Sequence, residues 1–411
     1  MWINVFILNK NYYLIILFSL CFLNLVPVNA QEKENASKQF LRGSIAIDYS
    51  YFNKAPLKSN QLPQYLSLLF TGEYKYIRGK FKFTVEPYLR LDAIDEYRSH
   101  IDMRNLYVTY WNKKISVNAG LRLYTLGKFT GFSLVDILNR IDIRESILEF
   151  KKLGQPSIDL KYLKKDFTFE FYLMPYLRSV NFNADRSRLL LIPFDVDNGF
   201  ISYDSKFKEY YPNIASRIGY KKNNTEIVLG YFHGYNKNPD FIYQTISQSF
   251  SEFYPIMSQW SIEWQSIYKG ITFTSEFINQ TYKGNKNYLG LHLALGYDIS
   301  KHYQGSSTMN ISFEYVNDKY RISRNAPFGN NFITLYRLNL GDIKNTEFSV
   351  KVFSDKDLKY HFFDANISRR VLNEFKITGK FSFYSGSIEE NNPLYLNNFN
   401  TYSGLKINWF F

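Results

Sequence analysis

The chain has 411 residues, a formal net charge of +13 and a single cysteine, and 19% of its residues are aromatic. One cysteine excludes a disulfide scaffold. Beyond residue 30 no run approaches the ~18 apolar residues that a spanning helix needs, which excludes a helical membrane protein. The basic residues are scattered instead of gathered on one face, so nothing points to nucleic acid.

Residues 1–30 read as a cleaved secretory signal. Lys10 is their only charge, Leu14 to Val28 is almost wholly apolar, and Val28-Asn29-Ala30 offers the small residues a signal peptidase requires. Cleavage makes Gln31 the new N-terminus and removes Cys21, which follows the bulky Leu20 and so lacks the small neighbour of a lipid-attachment site. Taking Lys10 from the formal +13 leaves +12 on residues 31–411. No linker divides that stretch, so it is expected to form one domain.

From there on, apolar residues recur at every second position, the period of a half-buried strand. In Gly43 to Phe52, Ile45, Ile47, Tyr49 and Tyr51 share one face, and Ser44, Ala46, Asp48 and Ser50 the other. In Lys80 to Asp92, Phe81, Phe83, Val85, Leu89 and Leu91 alternate with Lys82, Thr84, Glu86, Arg90 and Asp92. Similar combs follow at Ile115 to Leu123, Phe167 to Leu173, Leu289 to Tyr297, Met309 to Tyr315, Phe348 to Val352 and Phe375 to Phe383. These segments run to about 9–13 residues, longer than ordinary globular strands and long enough to cross a bilayer at a tilt. The count reads as about 18 strands; 16 is the alternative, because the combs over Asn331 to Leu340 and Tyr360 to Ser368 are weak.

The connectors alternate in length. Arg78-Gly79, Asn112-Lys113, Lys164 to Asp166, Lys221 to Asn224 and Lys269-Gly270 are tight turns. Between them lie Asn53 to Pro63, Ala93 to Asp102, Thr125 to Pro156, Tyr176 to Pro212 and Asn236 to Ile256. Tandem soluble sandwiches have no reason to sort loop length by parity. An outer-membrane β-barrel does, with an even strand count and both termini in the periplasm.

The third long connector contains Gly127 to Gln155, where Ser133 and Asp136 form a capping-box pattern and Leu134, Ile137, Leu138 and Ile141 follow at helical spacing. The expectation is a short amphipathic helix folded into the lumen to bury its apolar stripe. Asp136, Arg140, Asp142, Arg144 and Glu145 are then expected to form a pore constriction with the wall residues Arg90, Arg122, Lys82 and Glu86. Asp136, Asn139 and Asp142 resemble the D-x-x-N-P-x-D segment of uncharacterised porin families, with Arg140 standing at the proline position. In the next long connector, Leu189 to Phe194 is an apolar run flanked by Arg186 and Arg188, either a second plug element or a docking surface.

The chain finishes NTYSGLKINWFF, with Leu405, Ile407, Trp409 and Phe411 two apart. A barrel must pair its last strand with its first, because unsatisfied backbone groups in lipid cost several kcal/mol each. This ending resembles the C-terminal aromatic signal by which barrel proteins are recognised by the outer-membrane assembly machinery. The Asn/Lys/Tyr/Phe-rich style and the Ala30-Gln31 junction resemble envelope proteins of the Bacteroidetes. These resemblances imply a Gram-negative outer-membrane porin-like barrel whose partners are that machinery, outer-membrane lipid and lipopolysaccharide, and which is a homo-oligomer or a subunit of a complex.

Lys82, Glu86, Arg90, Arg122, Asp159, Lys161, Glu170, Glu263, Glu276, Glu314, Glu347, Lys351, Lys376 and Lys380 all fall on the polar faces of their combs. A wall so charged faces water, and a barrel of 16 to 18 strands is wide enough to hold it. The function expected is passive diffusion of small hydrophilic solutes, leaning towards anions because of the basic balance. The alternative is a non-conducting barrel serving an uptake or secretion complex. An enzyme is not expected: His100, His233, His292, His302 and His361 have no metal spacing, no G-x-S-x-G surrounds a serine, and no cofactor motif occurs.

Overall fold

The computed structural model describes residues 37–411 except 57, 130–131, 143, 146–150, 180–187, 189–195, 246–248, 285, 300–306, 324–328 and 387–400. Residues 1–30, expected to be a signal, and the run Leu189 to Phe194 therefore lie outside the described residues. Eighteen strands form one antiparallel sheet: β1 (Lys38–Phe52), β2 (Gln64–Arg78), β3 (Phe81–Asp92), β4 (His100–Trp111), β5 (Ile115–Arg122), β6 (Gln155–Lys164), β7 (Phe167–Met174), β9 (Asn213–Lys222), β10 (Thr225–Tyr235), β13 (Ile256–Tyr268), β14 (Ile271–Tyr282), β15 (Lys286–Asp298), β16 (Thr308–Asp318), β17 (Asn330–Asn339), β18 (Glu347–Asp355), β19 (Tyr360–Arg370), β20 (Phe375–Gly386) and β21 (Tyr402–Phe410). The count is 18, not 16; the weak combs at 331–340 and 360–368 are regular strands.

The sheet closes on itself. β21 pairs with β1 from Ser44↔Phe410 to Phe52↔Tyr402, and Gly43 and Phe411 exchange backbone hydrogen bonds of 2.9 and 3.1 Å. Closure leaves the barrel no open edge, which is the condition for a sheet in lipid. A Cβ on Gly43 would come within 2.5 Å of the Phe411 ring, so glycine lets the terminal aromatic lie across the seam.

The tight connectors work because left-handed residues turn the chain within two or three positions: Gly79 has φ 56° and Asn223 φ 52°. The five named from the sequence fall at one rim, together with both ends of the described barrel, while short connectors between β14 and β15 and between β18 and β19 lie at the other. The long connectors gather at the other rim. There β8 (Val196–Tyr203), β11 (Asp240–Gln244) and β12 (Ser249–Tyr254) form a separate three-stranded sheet, with β12 antiparallel to β11 and parallel to β8. Sequence periodicity did not find this sheet, because its strands are short and lie inside two connectors read as loops.

Alternation puts the two faces in opposite surroundings. Ile47, Leu229, Trp260, Leu295, Phe313 and Leu405 point outward and are exposed, while their neighbours point into the lumen. An exposed apolar belt around a closed barrel belongs in a bilayer, and this architecture places the chain in an outer membrane. The inner wall is less uniform than the combs suggest. Near the long-loop rim Phe232, Met257, Ile278, Val316, Ile333, Phe353, Phe362 and Tyr384 point inward and are buried together. The lumen is thus packed on that side and polar towards the tight-turn rim, where Arg337 and Lys161 are about half exposed or more.

Candidate functional site

The packed half of the lumen exists because the connector between β5 and β6 folds into it. Leu126, Phe132, Leu134, Val135 and Leu138 of this connector belong to the same buried apolar cluster as the inward residues of the wall. Burial of the apolar stripe agrees with expectation; its conformation does not. Residues 132–142 form turns, with Val135 N–H donating to Ser133 Oγ at 3.3 Å and Asp136 N–H to Ser133 O at 3.4 Å. Tertiary contacts replace the expected helix: the donors at the start of the segment are taken by a wall carboxylate, and a short segment gains little from helix propensity alone.

That carboxylate is Glu276 on β14. It accepts from Ser133 Oγ at 2.8 Å and from Leu134 N at 2.8 Å, so a strand side chain does the work of a helix cap. Beside it Phe129 stacks on His292 of β15, with ring centroids 3.5 Å apart and planes 13° apart. The opposite ring nitrogen region is fixed by Glu314 of β16, whose Oε2 lies 3.1 Å from His292 Nε2. Lys128 pairs with Glu226 of β10 at 2.9 Å. The loop thus crosses the lumen from β5 and is held on the far wall.

The returning limb is held at its base. Asn139 donates to Leu153 O at 2.7 Å and to Arg122 O at 2.9 Å, and its Oδ1 accepts from Tyr124 N at 2.8 Å. Asp136 and Lys152 form an ion pair across the two limbs. Further on, Glu145 reaches the β3 wall: Arg90 donates from Nε at 3.1 Å and from Nη2 at 2.8 Å, and Tyr88 donates its hydroxyl at 2.5 Å. Asp142 accepts from Arg144 Nε at 2.9 Å and lies 3.5 Å from His100 Nε2.

Burial by itself would raise both carboxyls. Instead Lys151 and Arg90, with hydrogen bonds from Arg90 and Tyr88, hold Glu145 well below the carboxylate range. Hydrogen bonds and charge from His100 and Arg144 do the same for Asp142. Asp136 goes the other way, because burial outweighs Lys152.

The expected site residues therefore separate into groups. Arg90, Asp142, Arg144 and Glu145 meet in one charge cluster. Arg140 turns away from it to the three-stranded sheet, where it bonds Tyr254 Oη and lies 3.4 Å from Glu252. Arg122 pairs with Asp159 lower on the wall, and its guanidinium lies over Tyr107 and Tyr124 at 5.2 and 5.1 Å. Lys82 and Glu86 lie elsewhere: Lys82 sits near the tight-turn end of β3, 5.9 Å from the Tyr107 ring, and Glu86 accepts from Asn105 Nδ2 at 2.6 Å. Glu276, His292 and Phe129 were not foreseen as loop anchors; the comb put Glu276 and His292 on the inner face, which was the available signal.

Below the base of the loop is a cavity of about 230 Å³ whose lining includes Arg122, Asp159, Lys161, Glu170, Tyr172 and Arg217. Arg217 bridges Glu170 at 2.9 Å and Glu263 at 2.6 Å, and Lys161 meets Glu170 at 3.0 Å. The carboxylates are largely covered while Lys161 and Arg122 keep 47% and 29% of their side chains exposed, so the charge offered to the cavity is mainly positive.

No protein-family model matches the sequence, and no curated protein matches it. Solved structures do match in fold. A BenF-like porin from Pseudomonas fluorescens Pf-5 aligns over 91% of this chain and 98% of its own, with 10% identity and a TM-score of 0.55. Pseudomonas aeruginosa OccK11 (OpdR) aligns over 90% and 95%, with 8% identity and a TM-score of 0.50. The likeness is one of fold: the chain has the architecture of outer-membrane porins.

Proposed function

We propose that the chain, once residues 1–30 are removed, is a single-domain outer-membrane channel for passive diffusion of small hydrophilic solutes, with the loop between β5 and β6 as its constriction. The observation that carries this reading is the loop itself, held to opposite walls by Glu276 on β14 and by Arg90 on β3. A segment clamped at both ends narrows a lumen without leaving it. The polar, half-exposed wall beneath it supplies the water-filled part of the path.

The lean towards anions rests on Lys161 and Arg122 at the cavity below the loop and on the basic balance of the chain. The wall as a whole also carries Glu347 and Asp364, which pair in register with Ser368 and Lys351, so the expected selectivity is small. A chemical role is not part of the reading: His292, the histidine best placed to act as a base, is buried between Phe129 and Glu314. The alternative, a silent barrel within a larger complex, predicts a partner that co-purifies in fixed ratio. Liposome swelling tests the channel directly. Proteoliposomes should swell in small sugars at rates that fall with solute size, and no swelling above empty liposomes would contradict the reading.

A further inference from the structure

The lysines are scattered along the sequence, yet the fold brings six of them to one arc of the tight-turn rim. Lys113 and Lys114 stand at the turn between β4 and β5, Lys164 and Lys165 at the turn between β6 and β7, and Lys221 and Lys222 at the turn between β9 and β10. The six strands involved follow one another around the barrel. Neighbouring turns of this kind are two strands apart, roughly 10 Å, so the fields of the three doublets overlap at ordinary ionic strength. All six residues are exposed, and Asp166 is the only acidic residue in the three turns. None of the six ammonium groups takes part in an ion pair among the described residues. The far arc of the same rim, from β17 to β20, is different, because its cations are matched. Arg369 lies 4.0 Å from Asp342, and Glu347 takes Arg337 at 3.2 Å and Lys376 at 3.7 Å.

The doublets also stand at a defined depth. Just inside them the outer face carries paired rings: Phe81 with Tyr110 at 5.3 Å, Tyr162 with Phe169 at 6.1 Å, and Phe167 with Tyr220 at 4.9 Å between centroids. Tyr110 precedes Lys113 by three positions, Tyr162 precedes Lys164 by two, and Tyr220 is next to Lys221. Aromatic girdles mark the boundary between hydrocarbon and head groups, and lysine stems reach past it to place their charge among the phosphates. Short turns face the periplasm, so the leaflet in question is the inner, phospholipid leaflet.

We propose that this arc binds the head groups of anionic phospholipids, which gives the barrel a lipid annulus enriched in negative charge on one side. The arc lies outside the lumen and does not depend on whether the barrel conducts. A soluble acidic partner would need the charge alone; the girdle beside each doublet is what favours a lipid. Each unpaired lysine near an anionic surface adds to the attraction, and salt screens it.

The test reads lipid locally. Residues 31–411 contain no cysteine, so a single introduced thiol can carry a fluorophore. Leu160→Cys places it on the outer face of the basic arc and Ile367→Cys on the far arc; both positions are exposed. The labelled barrels are reconstituted in phosphatidylcholine vesicles, and quenching by acyl-brominated phosphatidylglycerol is compared with quenching by acyl-brominated phosphatidylcholine at equal mole fraction. At position 160 the anionic lipid should be enriched about threefold in roughly 0.01 M salt and lose that enrichment near 1 M, while position 367 shows little preference. A variant with Lys113, Lys114, Lys164, Lys221 and Lys222 changed to Gln, and Lys165→Asn because that residue has φ 53°, should make the two positions alike. If that variant fails to insert, the comparison of the two positions and their salt dependence decides alone. Equal enrichment at both positions, none at position 160, or enrichment unchanged in the variant would overturn the proposal. Retention of the unsubstituted barrel, but not of the variant, on isolated peptidoglycan with no enrichment at position 160 would overturn it in favour of a cell-wall ligand. None of these outcomes bears on conductance, so the channel reading stands or falls separately.

Discussion

Arg90 of β3 and Glu145 of the inward loop meet fork to fork, Nε to Oε1 at 3.1 Å and Nη2 to Oε2 at 2.8 Å, with both side chains buried. Ser67 Oγ and Asp48 complete the surroundings of the guanidinium, at 2.8 and 3.7 Å. Removing one member of such a pair leaves the other buried with only a more distant counter-charge, Asp48 at 3.7 Å from Arg90 or Lys151 at 3.6 Å from Glu145, at a cost of up to about 3–5 kcal/mol. Glu145→Gln should therefore release this limb of the loop and raise single-channel conductance, with more open-channel noise. Arg90→Met/Glu145→Met should cost much less stability than either single change, which a double-mutant cycle measures.

The same clamp sets a pH dependence. Glu145 and Asp142 have folded-state pKa values below those of free carboxyls, so their stabilising effect is fully present above the unfolded value of about 4 and is lost as pH falls through the depressed folded values. Conductance and loop protection from protease should stay level from pH 8 down to about 4 and change only in stronger acid. A transition centred near pH 6 would show that the carboxylates are not what holds the limb.

Glu276 makes the opposite anchor. Glu276→Ala leaves Leu134 N–H and Ser133 Oγ without their buried acceptor, which costs about 1–3 kcal/mol. The barrel should still form, because register along β14 is kept by its neighbours. The loop tip should become protease-sensitive while the heat-modifiable gel shift persists. Unchanged protection would mean that Phe129 on His292 is sufficient to hold the tip.

Barrel closure depends on the last strand. Deleting residues 402–411 exposes both β1 and β20 along their full ladders. The truncated chain should give no heat-modifiable band on refolding. Replacement of Trp409 and Phe411 by alanine keeps the ladder and should refold in detergent; an assembly defect of that variant in cells alone would support the role of Leu405, Ile407, Trp409 and Phe411 as a recognition signal.

Much of the fold was legible because alternation and the parity of loop lengths are properties of single segments. The comb at Lys80 to Asp92 gave the inward position of Arg90, whereas the capping-type spacing at Ser133 and Asp136 pointed to a helix that the loop does not form. Depth in the lumen was not legible: the comb assigns Lys82, Glu86 and Arg90 to one face without saying which lies near the loop. The packed half was hidden for a related reason. Tyr231-Phe232, Phe277-Ile278, Phe362-Phe363 and Phe383-Tyr384 place apolar residues on both faces at the level where the loop enters, which erases the period-two signal there. Partner choice, such as Arg140 with Glu252, depends on a three-stranded sheet that only the folded chain assembles.

The most direct measurement is planar-bilayer conductance of the refolded mature protein beside a variant lacking residues 133–147, with reversal potentials in a salt gradient. The intact chain should give steady ohmic steps with a weak preference for anions, and the variant a conductance several times larger. Identical conductance in the two proteins, with the variant properly folded, would contradict the claim that this loop is the constriction.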